Sequence, residues 1–239
     1  MKAFSSQLYI QFRGDLRDKG VLMVYYLVPL AFYFIMGSIF TLPEISMGNS
    51  VITSITIFAI SMSSYLGMPQ SLVKARENGI LQAYRVAGIP AWSLPLAAII
   101  ISFVHMLIIA SIILLSAPFV FNAAWPGSIP LHFVSMALVI LSSQALGTLL
   151  ACFVKKQNTL TLVGQCLFLP TVLMSGIMFP TELLPKAMRI IGTALPATQG
   201  AKLVLDGTIQ AGPLIILISI TMIAFTLSAL LFRRISTKK

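Results

Sequence analysis

The chain has 239 residues, 58% of them hydrophobic and only 9% charged, with a mean hydropathy of +0.96. A soluble domain carries about 25% charged residues, so the composition excludes a soluble fold and predicts an integral membrane protein. Sixteen Lys and Arg against six Asp and Glu give a formal charge of +10. The basic residues flank apolar runs and form no stripe with interleaved aromatics, which argues against a nucleic-acid partner and for the positive-inside rule.

The first twenty residues form a polar head. Within it Phe4, Leu8, Phe12 and Leu16 recur every four residues, flanked by Lys2, Arg13, Arg17 and Lys19. That spacing predicts a helix over 3–18, lying in the headgroup plane with Gln11 and Asp15 on its wet side. The apolar run that follows is too long for a signal h-region, so no cleavable leader is expected.

A spanning helix needs about 20 apolar residues. Six segments meet that length, at roughly 21–41, 51–73, 94–117, 131–154, 158–179 and 213–232. The second is rich in small polar residues, among them Ser61 and Ser64, and is expected to face protein or a water-accessible path. The fourth carries a ladder of small residues, Ser143, Gly147 and Ala151. With Ser61 and Ser64, Gln144 and Gln165 are the polar candidates for a transport pathway. Trp92 and Trp125 stand next to span ends and are expected to act as interfacial anchors.

The loop after the second span, 74–90, puts Lys74, Arg76, Glu77 and Arg85 within twelve residues. Positive-inside bias accounts for Lys74 and Arg85 but not for Glu77, because acidic residues contribute little to orientation. Leu81 and Tyr84 stand four and seven residues after Glu77. A short helix there would place all three near one face, as a knob for a partner's cleft. The segment 180–212 is punctuated by Pro180, Pro185, Gly192 and Pro196 but is apolar between them. It is too broken to span and too apolar for a solvated loop. Two short half-helices re-entering the membrane over 180–196, then a surface helix near 197–207, are expected.

Counted on alternate sides of six spans, thirteen Lys and Arg fall on the side of the termini and three on the other. Both termini are therefore expected in the cytoplasm. All six acidic residues lie outside the spans, no span contains Lys or Arg, and His105 is the one histidine well inside a span. A single membrane histidine is more often packed than a relay, so ion coupling is disfavoured. Metalloprotease, nucleophile-elbow and P-loop motifs are missing, and Cys152 and Cys166 form no CxxC. Neither catalysis nor ATP binding is expected of this chain, and no metal site.

The stretches "ARENGILQAYRVAGIPAWSL" and "LMSGIMFPTELLPKAMRIIGTALPATQGAKLVLDG" carry a resemblance. With the amphipathic head and the span pattern, they make the whole chain, 1–239, resemble a single membrane domain of the ABC-2 type transporter permeases. Asn78-Gly79-Ile80 departs from the small residue and Thr frequent there in that family. The resemblance implies an all-α polytopic membrane protein of six transmembrane helices in the plasma membrane, in contact with lipids. It implies export driven by a separate nucleotide-binding subunit that holds ATP and Mg, and a second permease copy, identical or not. No cofactor would be bound by this chain. Arg76, Glu77, Gly79, Leu81, Tyr84 and Arg85 match the coupling segment that docks the ATPase. Ser175, Gly176, Phe179, Pro180, Leu184, Pro185 and Pro196 match the re-entrant outer gate. The spans suit an amphipathic cargo such as a drug, peptide or lipid-like molecule. A polysaccharide or glycolipid exporter is the next reading, then a channel or ion-coupled transporter without an ATPase. A membrane enzyme and a non-transporting anchor are further alternatives.

Overall fold

The computed structural model describes residues 2–40, 50–123, 125, 128–178, 183–205 and 210–237, and every regular element among them is helical. In chain order these are α1 (Lys2–Asp15), α2 (Lys19–Leu22), α3 (Val28–Phe40), α4 (Ser50–Met62), α5 (Met68–Glu77) and α6 (Ile80–Val86). There follow α7 (Ser93–Phe121), α8 (Ile129–Phe153), α9 (Gln157–Met174), α10 (Lys186–Thr193), α11 (Pro196–Leu205) and α12 (Ala211–Thr237). A π-helical turn, Met23–Leu27, joins α2 to α3, and another, Ser63–Gly67, joins α4 to α5. Among the described residues five helices are long and apolar enough to cross a membrane: Lys19–Ile39, Ile52–Glu77, Ser93–Phe121, Ile129–Phe153 and Ala211–Arg234. The chain is thus an all-helical, multi-pass membrane protein. The fifth segment expected from the sequence is α9, whose 18 residues open on Gln157, Asn158 and Thr159 and contain Pro170.

Burial decides which helix is central. The α4–α5 helix has 94% of its most apolar stretch buried, against 22% for the first spanning helix and 17% for the last. Its small hydroxylic residues explain this, since in a bilayer close backbone approach and side-chain hydrogen bonds, not apolarity, draw helices together. Gly147 of α8 shows how close: a Cβ there would collide with the Ser64 carbonyl oxygen. The small-residue ladder of the fourth span therefore faces the π-helical turn, and Gly164 of α9 approaches the same turn at the Tyr65 carbonyl.

Two expectations need correction. The segment near 197–207, expected on the surface, forms α11, whose Ala197, Thr198, Gln199, Ala201 and Leu203 are buried. α11 packs against α4, α8 and α12, and Gly200 admits Val139 of α8 where a larger residue would collide. Proline punctuation marks where helices start, at Pro196 for α11 and just before Lys186 for α10, but not which of them is buried. The second correction concerns α1. The helix forms, yet Gln7, Gln11 and Asp15 face the protein with Phe4, Leu8 and Phe12, while Leu16 is exposed. α1 runs along the start of α7: Phe4 neighbours Trp92, Gln7 Nε2 donates to Ser93 O at 3.3 Å, and Phe12 stacks on His105 at 5.0 Å. The apolar stripe and the adjoining Gln7/Gln11/Asp15 stripe, also spaced by four, together form one contact face.

Candidate functional site

Most of the charged residues expected to act lie at one end of the bundle, where α1, α5, α6 and α7 meet the turn between α8 and α9. Asp18 organises the entry. Its Oδ1 accepts from Gly20 N at 2.9 Å and Val21 N at 3.4 Å, capping α2, and its Oδ2 accepts from Lys74 Nζ at 2.7 Å. The Lys74 hydrogen bond is the main reason its carboxyl sits below the ordinary carboxylate range; partial burial opposes the shift.

Arg76 and Glu77 end α5; Arg76 turns inward, half-buried, while Glu77 stays exposed and reaches across to α9. Arg76 Nη2 donates to the carbonyl oxygens of Ala151 and, at 2.7 Å, Val154, at the C-terminal end of α8. Glu77 Oε1 accepts from Gln157 N at 3.2 Å, the first amide of α9. Asn78 closes α5, and Gly79 takes φ +69°, a left-handed conformation that side chains disfavour, before α6 starts at Ile80. Glu77 is therefore not on the same helix as Leu81 and Tyr84, and the one-face knob expected from the sequence does not form. Leu81 is buried in the core at 7% exposure. Tyr84 is half-buried and lines a cavity of about 890 Å³. That cavity lies between α1, α5, α6 and the start of α7; Gln7, Asp15, Lys74, Trp92 and Gln157 also line it. Arg85 lies on α6.

Behind the cavity a polar seam enters the bundle. His105 is fully buried, about 18 Å along α7 from its first residue at 1.5 Å per residue. Tyr26 Oη lies 2.6 Å from its Nδ1, and Asp15 Oδ2 lies 3.7 Å from its Nε2. One turn earlier on α7, Ser102 Oγ donates to Ala98 O at 2.7 Å and accepts from Gln144 Nε2 at 2.9 Å. Ser64 Oγ reaches Met106 Sδ at 3.5 Å. Ser61 and Gln144 are fully buried, and Ser61 Oγ and Gln144 Oε1 make no hydrogen bond with described residues. Gln165 is not part of this group: it is exposed on the outer face of α9.

At the opposite end of α9, Ser175 is buried and Gly176 takes φ +82°. Leu184 and Pro185 lead into α10, which abuts α9 where Gly192 meets the Met174 carbonyl, and Pro196 opens α11. Phe179 and Pro180 lie outside the described residues, as does Glu182.

The family model for the ABC-2 type transporter matches residues 3–209. The chain belongs to the ABC-2 type transporter family. Relatives include the inner membrane transport permease YhhJ of Escherichia coli K12, 24% identical over 62% of this chain and 39% of its own length. The probable multidrug ABC transporter permease YbhS of the same organism is 24% identical over 68% of this chain and 44% of its own. The linearmycin resistance permease protein LnrN of Bacillus subtilis 168 is 25% identical over 56% of this chain and 35% of its own. The matches thus span less than half the length of each of these relatives.

In this ABC-2 permease the structure brings together Arg76, Glu77, Gly79 and Tyr84 near the cavity, and Ser64 and Gln144 in the seam, where both reach Met106; Ser61 is buried on α4. It separates Leu81, which is core, and Gln165, which faces outward. Asp15 and Tyr26, the partners of His105, were missed by sequence reading. The four-residue spacing of Gln7, Gln11 and Asp15 beside an apolar stripe was the available signal for Asp15. For Tyr26, one of several aromatics in an apolar span, there was none.

Proposed function

We propose that this ABC-2 permease is the membrane subunit of an exporter driven by ATP hydrolysis on a separate nucleotide-binding subunit. That subunit seats an element in the cavity between α1, α6 and α7. The cavity carries the reading: it is open, about 890 Å³, and mixes apolar with charged lining groups at the end where the basic loops cluster. On this reading α9 is the sixth crossing, the cavity end and both termini are cytoplasmic by the positive-inside rule, and the α10–α11 pair is the outer-gate segment. ATP and Mg belong to the partner. A second permease copy completes the assembly, and lipids surround it. The cargo is amphipathic, a drug, peptide or lipid-like molecule. The seam supports a polar route, since a buried polar group without a protein partner costs about 1–3 kcal/mol. The names of the multidrug and linearmycin-resistance relatives agree with such a cargo.

The test is Tyr84→Ala in the complex with its nucleotide-binding subunit. The variant should insert normally but bind that subunit about tenfold or more weakly, because truncating a buried interface aromatic costs roughly 1.4 kcal/mol or more. Wild-type association together with wild-type cargo-stimulated hydrolysis would remove the cavity from the coupling path.

A further inference from the structure

Arg76 and Glu77 are adjacent in the chain, opposite in charge, and bound to two successive helix ends. Arg76 places a cation on the last carbonyls of α8, which have no partner within their own helix. Glu77 places an anion on the first amide of α9. Each charge is opposite in sign to the helix end it meets, which is negative at a C-terminus and positive at an N-terminus. Exchanging the two residues would be wrong at both ends. A further bond ties the same elements, from Gln157 Nε2 to Gln70 O at 3.2 Å. The exposed Lys155–Lys156 turn is thus fastened on both sides to α5, which leads through Gly79 directly into α6.

We propose that Arg76 and Glu77 form a clamp that makes α6 and the α8–α9 turn move as one body. They are positioning residues for the ATP-driven step and do not themselves touch the ATPase. This rests on the reading that α6 lines the docking cavity. Displacement at α6 is then delivered to the ends of α8, which carries Gln144, and α9, which carries Gln165. It goes on to α12, the principal packing neighbour of α8, where Cys152 Sγ lies 3.7 Å from Ser228 O.

The experiment places spin labels at Gln82 on α6 and Lys155 in the turn, both exposed. Their distance distribution is measured in the full chain with its nucleotide-binding subunit, at rest and trapped with ATP and vanadate. In the wild type a single narrow distance should persist unchanged through trapping. In Arg76→Gln, and in the milder Glu77→Gln, the resting distribution should broaden and its mean should shift on trapping. Arg76→Lys, which keeps the charge and a donor, should restore much of the narrow distribution. A structural role in stability alone would lower the yield of both Gln variants without altering the distance in the protein that folds. Narrow, unchanged distances in both Gln variants would overturn the clamp, and so would a wild-type distance that shifts on trapping. The resting widths test the clamp even where no ATPase associates, and failure of association in the wild type counts against the docking reading alone.

Discussion

Asp18 shows how one side chain in the head can hold several elements. Its carboxylate caps α2 through two amides and binds Lys74 of α5. Because its folded value lies below the ordinary carboxylate value, its contribution to stability is complete above about pH 3.9 and is lost as the pH falls through the lower folded value. Both partners are partly exposed, so solvent screening limits the pair to about 0.2–1 kcal/mol. Asp18→Asn keeps a capping oxygen but loses the ion pair. It should lower thermal stability slightly at neutral pH and flatten the acid limb below about pH 4, measured by thermal unfolding in detergent across a pH series. An acid limb of wild-type steepness in the variant would show that Asp18 is not linked to folding. The sequence signalled Asp18 only as a charge in the head, since Lys74 is 56 residues away.

The head illustrates what decides the orientation of an element. A four-residue apolar repeat defines a helix face, but an adjoining polar stripe of the same period can belong to the solvent side or to a helix–helix contact. Here Gln7 bonds the start of α7 and Asp15 approaches His105, so the contact face is wider than the apolar stripe. The opposite face holds Tyr9 and Arg13, both exposed, with the Arg13 guanidinium 5.8 Å from the centre of the Tyr9 ring. That face suits a headgroup region, where aromatic and basic side chains both settle. Spin labels at Gln11 and Asp15 should therefore be immobilised, while labels at Tyr9 and Arg13 move freely or contact lipid. Mobile labels at Gln11 and Asp15 would detach α1 from α7.

At the scale of the whole molecule, the outer face of α9 is the surface to explain. Leu162, Leu169 and Leu173 are exposed there, and so are Gln165 and Cys166. Leucines are at home against lipid, but an amide in hydrocarbon needs a hydrogen-bonding partner. The proposed second copy supplies such a partner, or shares a polar route with it. Cys152 is only half-exposed inside the bundle end. In a Cys152→Ser background, membranes treated with a mild oxidant or a short bifunctional thiol reagent should therefore give a covalent dimer through Cys166. Monomer alone at all reagent lengths would place α9 away from the copy interface.

Composition and hydropathy by themselves determined that this protein is an all-helical, multi-pass membrane protein, because a run of about 20 apolar residues has few stable alternatives in a bilayer. They also placed the acidic and basic residues between the apolar runs, since charge outside the spans is read locally. The two quoted motifs carried the resemblance to the family to which the chain belongs. Tertiary structure alone decided which helix is central, which face of α1 is covered, that α11 is buried, and that Arg76 and Glu77 bind the ends of α8 and α9. The physical reason is common to all four. In a chain this apolar, a lipid-facing and a protein-facing side chain look alike, and the difference lies in small-residue contacts and hydrogen bonds made far along the sequence. Gly147 is read only against Ser64, and Arg76 only against Ala151 and Val154.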